Sequence, residues 1–245
     1  MTRTPDLGEQ ALSKVAEIGL QSQLDTVEAL EVKIQTDPLK LVQGKLDSVA
    51  IFGKGLVMEK DLRSQELQIN TDHISVNPMK AALGEIELEH STQAHTRIVL
   101  TEADIERAFN SDYIRSKLQN LEIQVEGRST PIQTRPIKFR LPGDRTIALK
   151  TEVDLPETGE TRQIALTAVP EMAEAGHQIV LEEVQYPEGN TAPELTDALL
   201  SAARELLDLR NFELTGMDLQ LQSFDVQPGQ ICIEAKAQVH EFPGA

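Results

Sequence analysis

Residues 230–239, "QICIEAKAQV", alternate without a break. Ile231, Ile233, Ala235, Ala237 and Val239 share one side, and Gln230, Cys232, Glu234, Lys236 and Gln238 share the other. A strict period of two with one wet side fits a strand whose other side faces a core, the habit of antiparallel sheets. The pattern recurs along the chain. Leu30, Val32 and Ile34 alternate, as do Leu67 with Ile69, Ile74 with Val76, Ile86 with Leu88, and Leu121 with Ile123 and Val125. "PIKFRLPGDRTIALKTEVDL" reads as a hairpin turning at Pro142-Gly143-Asp144, with Ile147, Leu149 and Val153 in phase behind it. "TRQIALTAV", "HQIVLEEVQY" and "MDLQLQSFDVQ" add strands, and Gly53 with Gly55 marks a bulge or turn within "KLDSVAIFGKGLVM". About ten strands are predicted in all.

Between them the period shifts to that of helices. Over residues 7–20, Leu7, Ala11, Val15 and Ile18 share one face, away from Glu9, Ser13, Lys14 and Glu17. Asp37-Pro38 opens a short helix through "LKLVQ", which Gly44 ends. Thr101 starts a helix directly behind the apolar strand Ile98–Leu100, with Asp104 in the partner position of a capping box and Ile105, Ala108 and Phe109 along one side. Ser111 caps a second short helix, "DYIRSKL". The strongest helix is "TAPELTDALLSAARELLDLRN". Thr191 and Glu194 fit a capping box there, and Pro193 falls in the first turn. Leu195, Ala198, Leu199, Ala202, Leu206 and Leu209 make its main stripe, and Leu200, Ala203 and Leu207 widen it, which implies burial on more than one side.

Strands in this order, without βαβ alternation, predict an α+β fold. The expectation is a large curved antiparallel sheet wrapped around one or more amphipathic helices. One domain is expected over residues 1–245, with residues 1–26 as an N-terminal helix; 245 residues suffice for one large β-rich domain. Each half runs strands, helix, strands, but the halves do not match as a repeat.

Several activities are disfavoured. The net charge of −17 repels nucleic acid on average, and 3% aromatics without Trp leave little to stack on bases. Cys232 is the only cysteine, so neither an internal disulfide nor a CxxC metal knuckle is available. The five histidines, His73, His90, His95, His177 and His240, form no HExxH or HxH grouping, and no Walker loop or G-x-S-x-G elbow occurs. No catalytic, metal or cofactor site is therefore predicted. No run approaches the roughly 18–20 apolar residues of a membrane span, and the first residues lack a secretory pattern. A location in the cytoplasm or at the periphery of a membrane is expected.

Two features bear on binding. From Gly127 to Lys150 the only acid is Asp144, against Arg128, Arg135, Lys138, Arg140, Arg145 and Lys150. This is either a solvated hairpin face paired with acids elsewhere, or a contact for phosphate head groups through Arg135, Lys138, Arg140 and Arg145. The one-sided strands and wide helix either pack dry or leave an apolar groove, where an acyl chain gains about 0.8 kcal/mol per CH₂ buried. Ile105, Phe109, Leu195, Leu199, Ala202, Leu206, Ile231 and Ile233 would line such a groove.

"LVQGKLDSVAIFGKGLV", "HISVNPMKAALGEIELEHSTQAH", "RIVLTEADIERAF" and "MDLQLQSFDVQPGQICIEAKAQV" occur in that order. In these segments the chain resembles the LmeA-like phospholipid-binding family, over most of Leu30 to Val239 and least between Arg128 and Glu188. The resemblance implies a non-enzymatic protein of tubular lipid-binding shape, whose partner is phospholipid or a similar amphiphile. Transient membrane contact, with the basic segment meeting head groups, is a further expectation. It also raises the cell envelope as a location. Transfer of the lipid is one expected role. The rival expectation is a protein-interaction or scaffold module with a dry core, and a lipid-acting enzyme, needing a clustered nucleophile and base, stands third.

Overall fold

The computed structural model describes residues 7–58, 61–81, 87–119, 122–125, 128–156, 158–173, 176–187, 192–209 and 216–241. In chain order, α1 (Leu7–Gln21) is followed by β1 (Ala29–Gln35), α2 (Pro38–Val42), β2 (Lys45–Leu46), β3 (Ser48–Met58), β4 (Leu62–Thr71), β5 (Ile74–Ser75) and α3 (Pro78–Ala81). Next come β6 (Thr92–Thr101), α4 (Glu102–Asn110), α5 (Asp112–Gln119), β7 (Glu122–Val125), β8 (Arg128–Pro131), β9 (Gln133–Thr134) and β10 (Lys138–Gly143). The chain continues with β11 (Thr146–Leu155), β12 (Glu160–Met172), β13 (Ile179–Gln185), α6 (Pro193–Leu206), β14 (Met217–Gln227) and β15 (Gln230–Val239).

The α+β class holds: the chain is mostly antiparallel sheet with few helices. The strands divide between two main sheets. One has six strands in the order β1-β3-β4-β6-β15-β14, and the other runs β10-β11-β12-β13 with β9 paired to β11. The C-terminal hairpin adds to β6, so both ends of the chain build one sheet and the middle builds the other. They meet where Phe139, Leu141, Ile147, Leu166 and Ala168 pack on Val226 and Ile231.

Each sheet has an edge strand that a helix covers by a ladder of side-chain acceptors. On β1, the backbone N–H of Thr36, just past the strand, donates to Glu9 of α1 and that of Ile34 donates to Ser13, both at 3.0 Å. On β10 and the residue before it, the N–H groups of Leu141, Phe139 and Ile137 donate to Glu102, Glu106 and Asn110 of α4. The repeats match. Four helical residues rise about 6 Å, and two strand residues span about 6.6 Å. An uncovered edge would invite pairing with another chain; here its donors are spent on carboxylates, a hydroxyl and an amide.

This ladder inverts the expected role of α1. Its polar side faces the sheet, Glu9 being its buried residue, while Leu7, Val15 and Ile18 are 85%, 69% and 58% exposed. Edge-strand donors need acceptors more than they need apolar cover, which selects Glu9 and Ser13 for the inner face.

Three local expectations shift. β3 runs through Gly53 and Gly55 without a register break, Lys54 pairing Glu66 and Leu56 pairing Ser64. The β10–β11 turn is Asp144-Arg145, both at positive φ (51° and 59°), between the paired Gly143 and Thr146, so Pro142 belongs to the strand. The N-cap of α6 is Ala192, without a side-chain cap; Thr191 lies outside the described residues. The capping box of α4 is as expected: Thr101 N–H donates to Asp104 at 2.9 Å, and Asp104 N–H donates to the Thr101 hydroxyl at 3.2 Å.

Candidate functional site

Cross-strand register assembles apolar rows on one face of the six-stranded sheet. One row runs Leu30, Gly53, Leu67, Ile98, Ile233, Phe224, and the next runs Val32, Ile51, Ile69, Thr96, Ala235, Leu221. A third runs Ile34, Val49, Thr71, Ala94, Ala237, Leu219. Six strands at about 4.8 Å spacing make each row about 24 Å long. The opposite face carries Glu31, Lys33, Gln68, Asn70, His95, Glu234 and Lys236, as alternation requires.

The rows are not equally covered. At the β14–β15 end, Leu221 and Ala235 are buried, and Phe224 and Ile233 pack against the inter-sheet core. In the middle, Val49, Ile51, Leu67, Ile69 and Ile98 are only half-buried. Half-covered Ile, Leu and Val over the three neighbouring strands β3, β4 and β6 form an apolar surface that can take hydrocarbon.

The residues expected to line a groove fall into two groups. Ile231 is buried in the inter-sheet core, and Ile105, Phe109 and Ile233 pack against it; the Phe109 and Phe139 rings stand 5.8 Å apart. Leu195 belongs to a separate cluster with Ile132, Val153, Leu155 and Ile164, and Leu199 packs on that cluster. The side chains of Ala202 and Leu206 lie outside the described residues. Reading each strand singly misses Val49, Ile51 and Ile98. Their signal is the pairing register, which sums individually ordinary alternations into rows.

α4 is held at this end of the sheet by a buried charge. The Asp104 carboxylate is 2% exposed and accepts from Arg63 of β4 as well as from Thr101. Arg63 also reaches Glu28 at 2.9 Å.

The four cations expected to meet head groups are all ion-paired. Arg135 meets Glu152 at 2.7 Å and Asp154 at 3.0 Å, and its guanidinium, helped by the Thr161 hydroxyl, holds the Asp154 carboxyl below the usual range. Lys138 and Arg140 share Glu106 at 3.1 and 3.0 Å, and Arg145 meets Glu171 at 3.1 Å. Lys138, Arg140 and Lys150 rim an open depression of about 300 Å³ with Ala148 and Ala165 in its wall. Among the described residues, no group of His, Cys, Asp and Glu could hold a metal ion. No described helix is long and apolar enough to cross a membrane.

A family model described as LmeA-like phospholipid-binding matches residues 4–236. No curated protein and no solved structure matches the chain.

Proposed function

Since the chain belongs to the LmeA-like phospholipid-binding family, we propose that it holds a phospholipid with its acyl chains along the apolar rows of the six-stranded sheet and passes it on unaltered. The observation that carries this reading is the half-buried state of Val49, Ile51, Leu67, Ile69 and Ile98 in the middle of that face. A hydrocarbon laid there removes both its own surface and theirs from water, at about 0.8 kcal/mol per CH₂. The face and the helices beside it form the groove in this reading, and the protein acts as a carrier rather than an enzyme.

The basic hairpin contributes a transient contact with head groups. Arg135, Lys138, Arg140 and Arg145 are already paired, so a phosphate there displaces Glu106, Glu152, Asp154 or Glu171 instead of meeting a free charge. Exposed pairs of this kind contribute little, so the exchange is nearly neutral and strongly screened by salt.

The test is native mass spectrometry on gently purified protein, followed by uptake of fluorescent phosphatidylcholine. A co-purified or captured phospholipid at one per chain is expected. Protein that carries no lipid and takes up none overturns the reading.

A further inference from the structure

Among the described residues, the four most exposed large apolar side chains are Leu7 (85%), Val42 (80%), Met79 (78%) and Leu39 (77%). They come from three different helices, α1, α2 and α3, each placed at the end of the six-stranded sheet where β1 stops and β3 starts. Leu7 is two residues before Glu9, which holds the N–H of Thr36, and Thr36 leads into the Asp37 cap of α2. The C-terminal end of α2 abuts the start of α3: Val76 N–H donates to Gly44 at 2.8 Å, and β2 pairs β5 through Lys45–Ser75 and Leu46–Ile74.

The two short helices are copies of one device. Asp37-Pro38-Leu39-Lys40 is matched by Asn77-Pro78-Met79-Lys80, and the same spacing then brings Gly44 and Gly84, Leu46 and Ile86, and Asp47 and Glu87. In both, the leading Asx side chain takes backbone N–H groups of the first turn, Leu39 at 2.9 Å and Met79 at 3.0 Å, and proline presets the backbone. Lys40 is paired with Asp47 and Lys80 with Glu87. Each turn thus presents an exposed apolar side chain beside a lysine on a capped, proline-started backbone.

We infer that this end of the molecule, Leu7, Leu39, Val42 and Met79 with Lys40 and Lys80, is the surface by which the protein touches a phospholipid bilayer. The inference rests on the phospholipid-binding reading above. Continuity with the apolar rows argues for a bilayer over a protein partner. The row Ile34, Val49, Thr71 stands one residue in from Gln35 and Ser48 at this end of the sheet, so an acyl chain leaving a bilayer here passes directly onto that face. Charge adds no net attraction, because Asp37, Asp47 and Glu87 accompany Lys40, Lys45 and Lys80. Apolar side chains flanked by lysines match the acyl boundary with phosphates above it. The Lys40–Asp47 and Lys80–Glu87 pairs are exposed, so the ammonium groups turn to lipid phosphates at little cost.

The test is co-sedimentation of the full chain with vesicles of phosphatidylcholine and phosphatidylglycerol. Leu39→Ser, Val42→Ser and Met79→Ser are combined; these exposed positions spare the fold. The partition coefficient is expected to fall roughly tenfold or more, while Met172→Ser, an exposed apolar position on β12, leaves it unchanged. Uptake of monomeric short-chain phosphatidylcholine is measured in parallel and is expected to survive the triple substitution. Wild-type and triple variant partitioning alike overturns the inference, as does wild-type protein that takes up short-chain lipid without binding vesicles. So does a self-association seen by analytical ultracentrifugation that the triple variant loses with no vesicle binding in either protein, which makes a second copy the occupant. Loss of short-chain uptake by the wild type overturns the phospholipid reading itself, whereas vesicle binding lost in the triple variant still upholds the contact surface.

Discussion

Glu106 of α4 accepts the backbone N–H of Phe139 at 3.1 Å, in the middle of a three-step ladder that closes the open edge of the second sheet. Burial opposes ionisation of Glu106, but the Phe139 N–H and the nearby Lys138 and Arg140 outweigh it and hold the carboxyl below its ordinary value of 4.5. The folded pKa is thus lower than the unfolded one. This contribution is complete above the unfolded value and is lost as pH falls through the folded one. Glu106→Gln is expected to cost about 1–2 kcal/mol at neutral pH. The gap to wild type narrows below pH 4.5, the ordinary value for this group. Urea melts at neutral and acid pH check this; a gap that widens in acid refutes the linkage.

Asp104 is expected to matter more than its position in a surface-reaching helix suggests. Its buried carboxylate joins the cap of α4 to Arg63 of β4. Asp104→Ala removes the reciprocal cap and leaves Arg63, whose side chain is 21% exposed, with the exposed Glu28 as its one remaining carboxylate among the described residues and the Gln65 amide oxygen beside it. The expected loss is about 2–4 kcal/mol, against about 1 kcal/mol for Thr101→Ala, which removes only the hydroxyl side of the box. Thermal denaturation of the two variants tests the order.

How far residues alone carry the fold depends on the element. Alternation suffices for β15, where Ile231, Ala235, Ala237 and Val239 are buried as spaced, and capping chemistry suffices for α4 at Thr101 and Asp104. Alternation is silent about which strand pairs with which. The union of β6 with β15, more than a hundred residues away along the chain, divides the strands between two sheets and lines up Ile98 with Ile233. Amphipathic spacing misleads at α1, because the strand beside it offers N–H donors that only Glu9 and Ser13 can satisfy. The basic run at 128–150 is visible in sequence, but its partners Glu106 and Glu171 lie on other elements, so its neutralisation is not.

Gly44 joins the two short helices and should tolerate no side chain. Its φ is +73°, and a Cβ built there comes within 2.2 Å of the Val76 carbonyl oxygen. Gly44→Ala therefore forces apart the β2–β5 junction as well as straining the backbone. A loss of roughly 2–3 kcal/mol is expected, with faster hydrogen exchange at the Val76 amide, which donates to Gly44. Unchanged exchange at Val76 with a lowered melting temperature would place the damage elsewhere.

The proposed seat of the acyl chains on the apolar rows can be told from a merely stable sheet, because neighbouring residues on one strand face opposite ways. Ile69 and Asn70 are adjacent on β4; Ile69 stands in the row with Val32 and Ile51, and Asn70 lies on the polar side against His95 and Ala50. Ile51 is half-buried, so an ionised group there stays partly hydrated and the sheet survives. The same charge beneath a hydrocarbon chain is stripped of water with no partner, which opposes binding strongly. Ile51→Asp is therefore expected to lower phospholipid occupancy at least tenfold with an unchanged far-ultraviolet circular dichroism spectrum. Asn70→Asp, the same charge on the other side, is expected to leave occupancy as in the wild type. Native mass spectra of the two variants, prepared side by side, give the comparison. Equal lipid in both would mean that the acyl chains lie somewhere other than along these rows.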